Sequence, residues 1–302
     1  MLPRRVQDVE ARHGNFWARA LETTQCRVGH GRTAVADPPP RRRAVVPYGV
    51  IAPIDQQETA LAAGADYLES TIVGVLVDAE DDGRWRPVHA APAHRVPSFA
   101  ILVPGTLRVS DPSVPIREVS SYLEVALDAI AAVAEPGAKI VFGSGAARTI
   151  GPEIPVAEGS ARFAEVLVIA RDAAWARDLE IVLEPLNAGE SDLIHSVQEA
   201  AGFLDAHDIQ GVRIVADLYH VQLEGESFDV LERLAGRIGH VHVADSGRIP
   251  PGQGDWPLSD FLAALRRGGY REGVTIECSW KDLAAELPAA LAAVREADPG
   301  AA

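Results

Sequence analysis

Four strand-like runs in the second half of the chain each deliver one side chain of metal-ligand type at their carboxyl end. Ile181-Val182-Leu183 runs straight into Glu184, and Pro185 then stops the ladder because it has no N–H to give. Val212-Arg213-Ile214-Val215-Ala216 ends on Asp217, Gly239-His240-Val241-His242-Val243 carries His242, and Val274-Thr275-Ile276 ends on Glu277. Successive members of this set stand 33, 25 and 35 residues apart. One strand, one helix and two loops take roughly 30 residues. The pattern therefore predicts alternating strands and helices with parallel strands, and a ligand-type residue recurring at one height of the sheet.

The same alternation runs upstream. Residues 45–53 predict a first strand, 56–63 a short helix, 66–77 a second strand, and 78–97 a long loop rich in Asp, Gly, Pro and His. A third strand follows at 98–104, then helical spacing over 114–134 that Pro136-Gly137 should end. The fourth strand is Lys139-Ile140-Val141-Phe142, and Ser160 reads as the N-cap of a helix reaching Asp178. Glu184 closes the fifth strand, and Ser191 or Asp192 should cap the helix that reaches Ala206. Asp217 closes the sixth strand, and a short helix reads over 228–235. His242 lies in the seventh strand, Glu277 in the eighth, and helices read over 258–267 and 283–297. Eight such strands predict a (β/α)8 TIM barrel, one domain over residues 45–302. Residues 1–44 lack this rhythm and end in Asp37-Pro38-Pro39-Pro40-Arg41-Arg42-Arg43, a stiff, solvated linker composition. They predict an irregular or disordered extension, with a short helix near 15–21.

A net charge of −15 argues against a nucleic-acid partner, which asks for a basic face. No apolar run reaches the roughly 18 residues of a membrane span. The first residues hold no apolar stretch of signal-peptide type. Two cysteines are too few for a disulfide framework and suit a reducing cytosol. The expectation is a cytoplasmic protein acting on a small molecule.

Side chains alternate along a strand, so Val241 and Val243 meet the outer helices while His240 and His242 point inward. The same parity sends Glu184, Asp217 and Glu277 inward at the carboxyl-terminal rim, where active sites of this fold sit. Taken singly, a strand-end acid is often a helix cap, and a strand histidine is often a hydrogen-bonded core residue. Matching positions in four successive repeats favour a joint role. Three carboxylates and an imidazole buried without a partner would be very costly. One divalent cation resolves this, and an oxygen-rich set with one imidazole suits Mn²⁺ first, with Mg²⁺ or Co²⁺ as alternatives. Glu190, His220 and Arg248 lie close by in sequence, although each has a plain reading as a loop or helix-end residue. Cys278 should face outward and pack.

Such a centre would take an α-hydroxy ketone or aldehyde and stabilise the enediolate left when a C–H proton departs. Glu184 and Glu277 could remove and return that proton. Return to the opposite face gives epimerisation, and return to the neighbouring carbon gives aldose–ketose isomerisation; the residues do not choose between them.

The stretches Val141–Arg148, Leu183–Asn187 with Glu190, Ala216–His220, Ile238–Arg248, Pro251–Trp256 and Gly268–Glu277 resemble the xylose isomerase-like barrel superfamily, in its sugar phosphate isomerase and epimerase branch. Within it they look like the ketose 3-epimerases and hydroxypyruvate isomerases, over about residues 45–295. The resemblance implies metal binding by Glu184, Asp217, His242 and Glu277, and contacts to a small sugar-like substrate from Glu190, His220 and Arg248. It also admits a lyase of keto-inositol dehydratase type, or the barrel subunit of a C-glycoside deglycosidase, which would need a partner subunit. A homo-oligomer is compatible with either. An endonuclease IV-like repair enzyme fits worse, because the charge is wrong and that chemistry needs a larger His-rich set.

Removing residues 1–44 should leave the melting temperature and metal binding nearly unchanged, because their composition offers little core. A loss of several degrees in a thermal melt would contradict this.

Overall fold

Short apolar runs bounded by turn formers close into a single ring in the computed structural model, which describes residues 46–80 and 83–301. The readings made for residues 1–44 fall outside the described residues. In chain order the strands are β1 (Tyr48–Ala52), β2 (Tyr67–Thr71), β3 (Val77–Ala79), β4 (Trp85–Pro87), β5 (Val96–Ala100), β6 (Ala134–Phe142), β7 (Leu179–Leu183), β8 (Arg213–Asp217), β9 (Ile238–Val243) and β10 (Val274–Ile276). Eight of them pair in parallel and close with β10 back on β1. The other two, β3 and β4, form an antiparallel hairpin inside the expected long loop. The second strand was expected to reach Val77, but β2 stops at Thr71. Gly74 turns the chain at φ +77°, and the Ile72 carbonyl accepts from the Val75, Leu76 and Val77 N–H groups. Continuing the strand would forfeit that turn.

Helices Ile116–Val133, Val156–Trp175, Val197–Ala206 and Leu258–Arg267 lie between successive strands, and helix Leu283–Ala297 follows β10. Their buried residues recur at helical spacing, as in Val119, Leu123, Ala126, Leu127 and Ile130. Pro115 and Pro155 hold the positions just before two of these helices. Ser160, expected as a cap, instead lies inside the second of them, buried, with its Oγ 3.4 Å from His207 Nε2. The next helix starts later than expected, and Ser196 caps it by accepting from the Glu199 N–H. Asp192 accepts from the Ile150 and Gly151 N–H groups instead. No helix among the described residues is long and apolar enough to cross a membrane.

Inside the ring, parity stacks the side chains in layers. Lys139, Glu180 and Arg213 share the faces of Val141, Val182 and Val215 two residues earlier, so they point inward at the amino-terminal end. There Arg213 pairs with Glu180 at 2.9 Å, and Arg213 and Lys139 both bond Glu272. Above them Ala100, Val141, Val182 and Val215 form a buried apolar cluster, with Ile51 packed against it. The rim lies one step further along each strand.

The chain's end is tied to the barrel's amino-terminal side. Asp298 accepts from Arg266 Nε at 3.0 Å, from Arg266 Nη2 at 2.6 Å and from the Tyr48 hydroxyl at 3.0 Å, all buried. Burial pushes the Asp298 carboxyl up, but the Arg266 hydrogen bond and the Gly300 N–H outweigh it and hold it below its ordinary value. Asp298→Ala leaves a buried guanidinium without its counter-charge and should cost about 3 kcal/mol in urea unfolding. A depressed carboxylate stabilises the fold above its unfolded pKa of about 4 and loses that contribution as pH falls through the folded value. The gap between wild type and variant should therefore narrow on acidification below about pH 4.

Candidate active site

The four strand-end residues meet at the carboxyl-terminal rim. One ligand atom from each of Glu184, Asp217, His242 and Glu277 lies within 4.8 Å of all the others. His242 is the hub. Its Nδ1 lies 3.1 Å from Glu184 Oε1 and 2.8 Å from Glu277 Oε2. Gly143, at the end of β6, makes room for this: a Cβ there would come within 2.2 Å of Glu184 Oε2. Arg148, fully buried, donates to the Glu184 carbonyl at 2.6 Å and to the Ile194 carbonyl at 3.3 Å, so the turn after β7 is held from beneath.

Electrostatics follow from burying so many acids together. Burial pushes Asp217 up to about 8, helped by the charges of Glu277 and Glu184. Burial raises Glu184 as well, against its hydrogen bond from His242. For Glu277 burial also acts upward, but the hydrogen bond and charge of His242 and the charge of Arg248 hold it below the ordinary range. Burial would lower His242, yet Glu69 and the bonds to Glu184 and Glu277 carry it well above its usual value. One proton-bearing imidazole is thus what balances the carboxylates.

The set fits a divalent ion. Ligands held about 2.0–2.4 Å from a hard or borderline cation stand at most roughly 4–5 Å apart, which is the spread seen here. Asp217 Oδ2 is buried with no hydrogen-bond partner, as a ligand oxygen would be. The residues that would hold the ion are those four.

Three more polar groups overhang the cluster. His220 Nδ1 accepts from the Asn187 backbone N–H at 3.1 Å and lies 2.9 Å from Asn187 Nδ2. The ring proton is therefore on Nε2, which is buried without a partner 3.6 Å from Asp217 Oδ2. Burial, and then the Arg248 charge, pull the His220 pKa down to about 3, so the ring is neutral. Arg248 reaches Glu190 Oε1 and Glu277 Oε1, each at 3.2 Å, and lies 4.5 Å above the Tyr219 ring. Glu190 Oε1 also accepts from Asn187 at 3.0 Å. All seven sequence candidates are brought together. In the long loop before β5, Trp85 stacks edge-on with Tyr122, and the His94 backbone pairs with the Gln57 side chain.

Sequence reasoning missed Asp245, Asn187, Arg148 and Glu69. Asp245 accepts from the N–H groups of Ser246, Gly252, Gly254 and Trp256, which folds the loop that aims Arg248. A Cβ on Gly254 would come within 2.3 Å of Asp245 Oδ1. Gly252 and Gly254, following that acid within one loop, were the available signal. Glu69 looked like an ordinary polar residue in a strand whose end had been placed too late.

A closed parallel barrel with a ligand-type acidic cluster at its carboxyl-terminal rim defines the class: a TIM barrel of the kind that carries its chemistry at the top of the strands. The chain belongs to the xylose isomerase-like TIM barrel family, whose model matches residues 58–297. A stretch of 98 residues is 31% identical to the 3-dehydro-D-guloside 4-epimerase of Escherichia coli strain K12, over 32% of this chain and 37% of that protein. Another, of 105 residues, is 33% identical to the D-psicose 3-epimerase of Ruminiclostridium cellulolyticum, over 34% of this chain and 36% of that protein. The chain thus aligns with about a third of the length of these curated relatives. The solved D-allulose 3-epimerase of Methylomonas sp. superposes with a TM-score of 0.69 over 84% of this chain and 98% of that one, at 18% identity, a likeness of fold.

Mn²⁺ at about 100 times its Kd should stabilise the protein by about 2.7 kcal/mol, read as a higher melting temperature. Asp217 keeps a proton up to about pH 8 in the ion-free protein. Binding must displace that proton, so the Mn²⁺-dependent gain should shrink as pH falls below that value. Asp217→Asn should reduce the gain at every pH. A melting temperature indifferent to Mn²⁺ from about pH 6 to about pH 9 would contradict the site.

Proposed function

We propose that this chain is a divalent-metal-dependent sugar epimerase, moving a proton on a carbon next to a ketone of a small sugar-like substrate. The observation that carries the reading is that Glu184 and Glu277 approach one point, His242 Nδ1, from two strands separated by β8 and β9. Two carboxylates so placed can flank one substrate carbon. The family match and the epimerases among the relatives support the same reaction class.

A divalent ion held by the four rim residues would polarise the substrate carbonyl and stabilise the negative charge left on proton loss. The protein's own groups do the rest. One glutamate takes the proton from the carbon, and the other, protonated, returns one to the opposite face. His220 offers a neutral Nε2–H donor, fixed in that tautomer by Asn187, to a substrate oxygen. Arg248, over Tyr219, neutralises Glu190 and Glu277 and binds a substrate hydroxyl, while Glu190 accepts from another. Glu277 is about a quarter exposed, with a side-chain accessibility of 24%, so its proton exchanges with solvent. We assign the protein to the cytoplasm, supported by its sparse cysteine use.

The test is proton exchange in D₂O with added Mn²⁺, across ketoses and 3-keto-glycosides. Glu277→Gln cannot accept a proton at neutral pH, and exchange should fall by about 10²–10⁴. Arg248→Ala removes a substrate contact, so KM should rise at least as clearly as kcat falls. Wild-type exchange rates in Glu277→Gln with the ion still bound would contradict the two-carboxylate mechanism.

A further inference from the structure

His242 makes a second set of contacts, on the side away from the rim. Its Nε2 lies 3.0 Å from Glu69 Oε1, and both side chains are fully buried. Glu69 comes from β2, on the far side of β1 and β10 from β9 around the ring, so this contact crosses the barrel interior. The two oxygens of Glu69 are used unequally. Oε2 accepts from Ser98 Oγ at 2.9 Å and from Thr275 Oγ1 at 3.1 Å, and it meets His240 Nε2 at 2.5 Å. Oε1 is left for His242 alone. Three bonds on one oxygen fix the carboxylate, and the fixed carboxylate presents its other oxygen to one ring nitrogen.

We infer that Glu69 is a positioning residue for the ion site: anchored by Ser98, Thr275 and His240, it keeps a proton on His242 Nε2, so that Nδ1, which faces Glu184 and Glu277, is the nitrogen that gives up its proton and turns its lone pair to an entering ion. The inference rests on the reading of the rim as a divalent-ion site. The chemistry is direct. An imidazole has one nitrogen to ligate a cation and one to carry the proton, and the partner of the second decides which is which. A carboxylate can only accept, so it selects the Nε2–H form. It also fixes the ring plane and makes Nδ1 a stronger donor to a cation.

Glutamine at 69 keeps the shape and loses the charge. Its amide oxygen could still accept from His242, but less strongly. Its amide nitrogen, if turned the same way, would force the proton onto Nδ1 and block the ion. The orientation would then be shared between two competing arrangements rather than set by one.

The experiment measures Mn²⁺ affinity by chelator competition on the full chain, with Tm of the ion-free protein recorded in parallel. Glu69→Gln should weaken Mn²⁺ binding by about 10–100-fold. Thr275→Val removes one of the three anchors on Oε2 but leaves the Oε1 contact, so it should weaken binding less than threefold whatever it does to Tm. If Glu69→Gln lowers Tm while Mn²⁺ affinity stays at the wild-type value, Glu69 is merely structural and the inference is overturned. Should the variant fail to fold, the wild type decides. In ¹⁵N-histidine NMR with Zn²⁺ as a diamagnetic probe, His242 should show a slowly exchanging Nε2–H and an Nδ1 shifted by the cation. The signal is assigned by its loss in His242→Gln. A proton on Nδ1, or ligation through Nε2, overturns the inference. Wild-type protein that binds neither ion would overturn the ion-site reading itself, and this inference with it.

Discussion

Three carboxylates and an imidazole taken out of water together are the constraint on which the rest of this structure depends. Isolated buried charges of this kind cost several kcal/mol each. Asp217 shows the strain most plainly, with one oxygen buried and unpartnered and its pKa pushed up to about 8. His242 relieves part of it by standing between Glu184 and Glu277, and Arg248 relieves more from above. A divalent cation would remove the remainder, which is the physical reason to place one there.

Everything around the cluster serves to hold it in a conformation it would not choose alone. The buried apolar cluster of Ala100, Val141, Val182 and Val215 packs beneath the rim. Arg148 holds the Glu184 carbonyl, so the chain leaves β7 in one direction only. The Asp245 carboxylate gathers four backbone N–H groups and so shapes the loop that carries Arg248, whose own backbone sits at φ +61°. A left-handed arginine is a strained residue, and the loop's internal bonds keep it there. The amino-terminal end, closed by Lys139, Glu180, Arg213 and Glu272, serves stability, in keeping with the division of labour in this fold.

Much of this is legible in the sequence. Period-two alternation put His242 and Asp217 on the inner face, and chain spacing put them at one height; both hold, as the direct pairing of Asp217 with His242 between β8 and β9 shows. The helices over 258–267 and 283–297 begin and end where their spacing placed them. Failures came where a local bond overrides pattern. Ser160 looked like a cap, but Pro155 had already started the helix. The second strand ended early because Gly74 turns it, and with the strand's end misplaced, Glu69 had no visible place near the rim. Arg148 and Glu69 act through partners remote in sequence, and one sequence does not report such pairs.

In a two-base epimerisation, the proton on the product carbon comes from a different carboxylic acid than the one that took the substrate's proton. The most direct measurement is therefore the isotope content of the first product formed by the Mn²⁺-loaded enzyme in D₂O, read by NMR at the inverted carbon. The account predicts one deuterium at that carbon in essentially every product molecule, with none elsewhere on the sugar. Inversion with the original hydrogen retained at that carbon would contradict it.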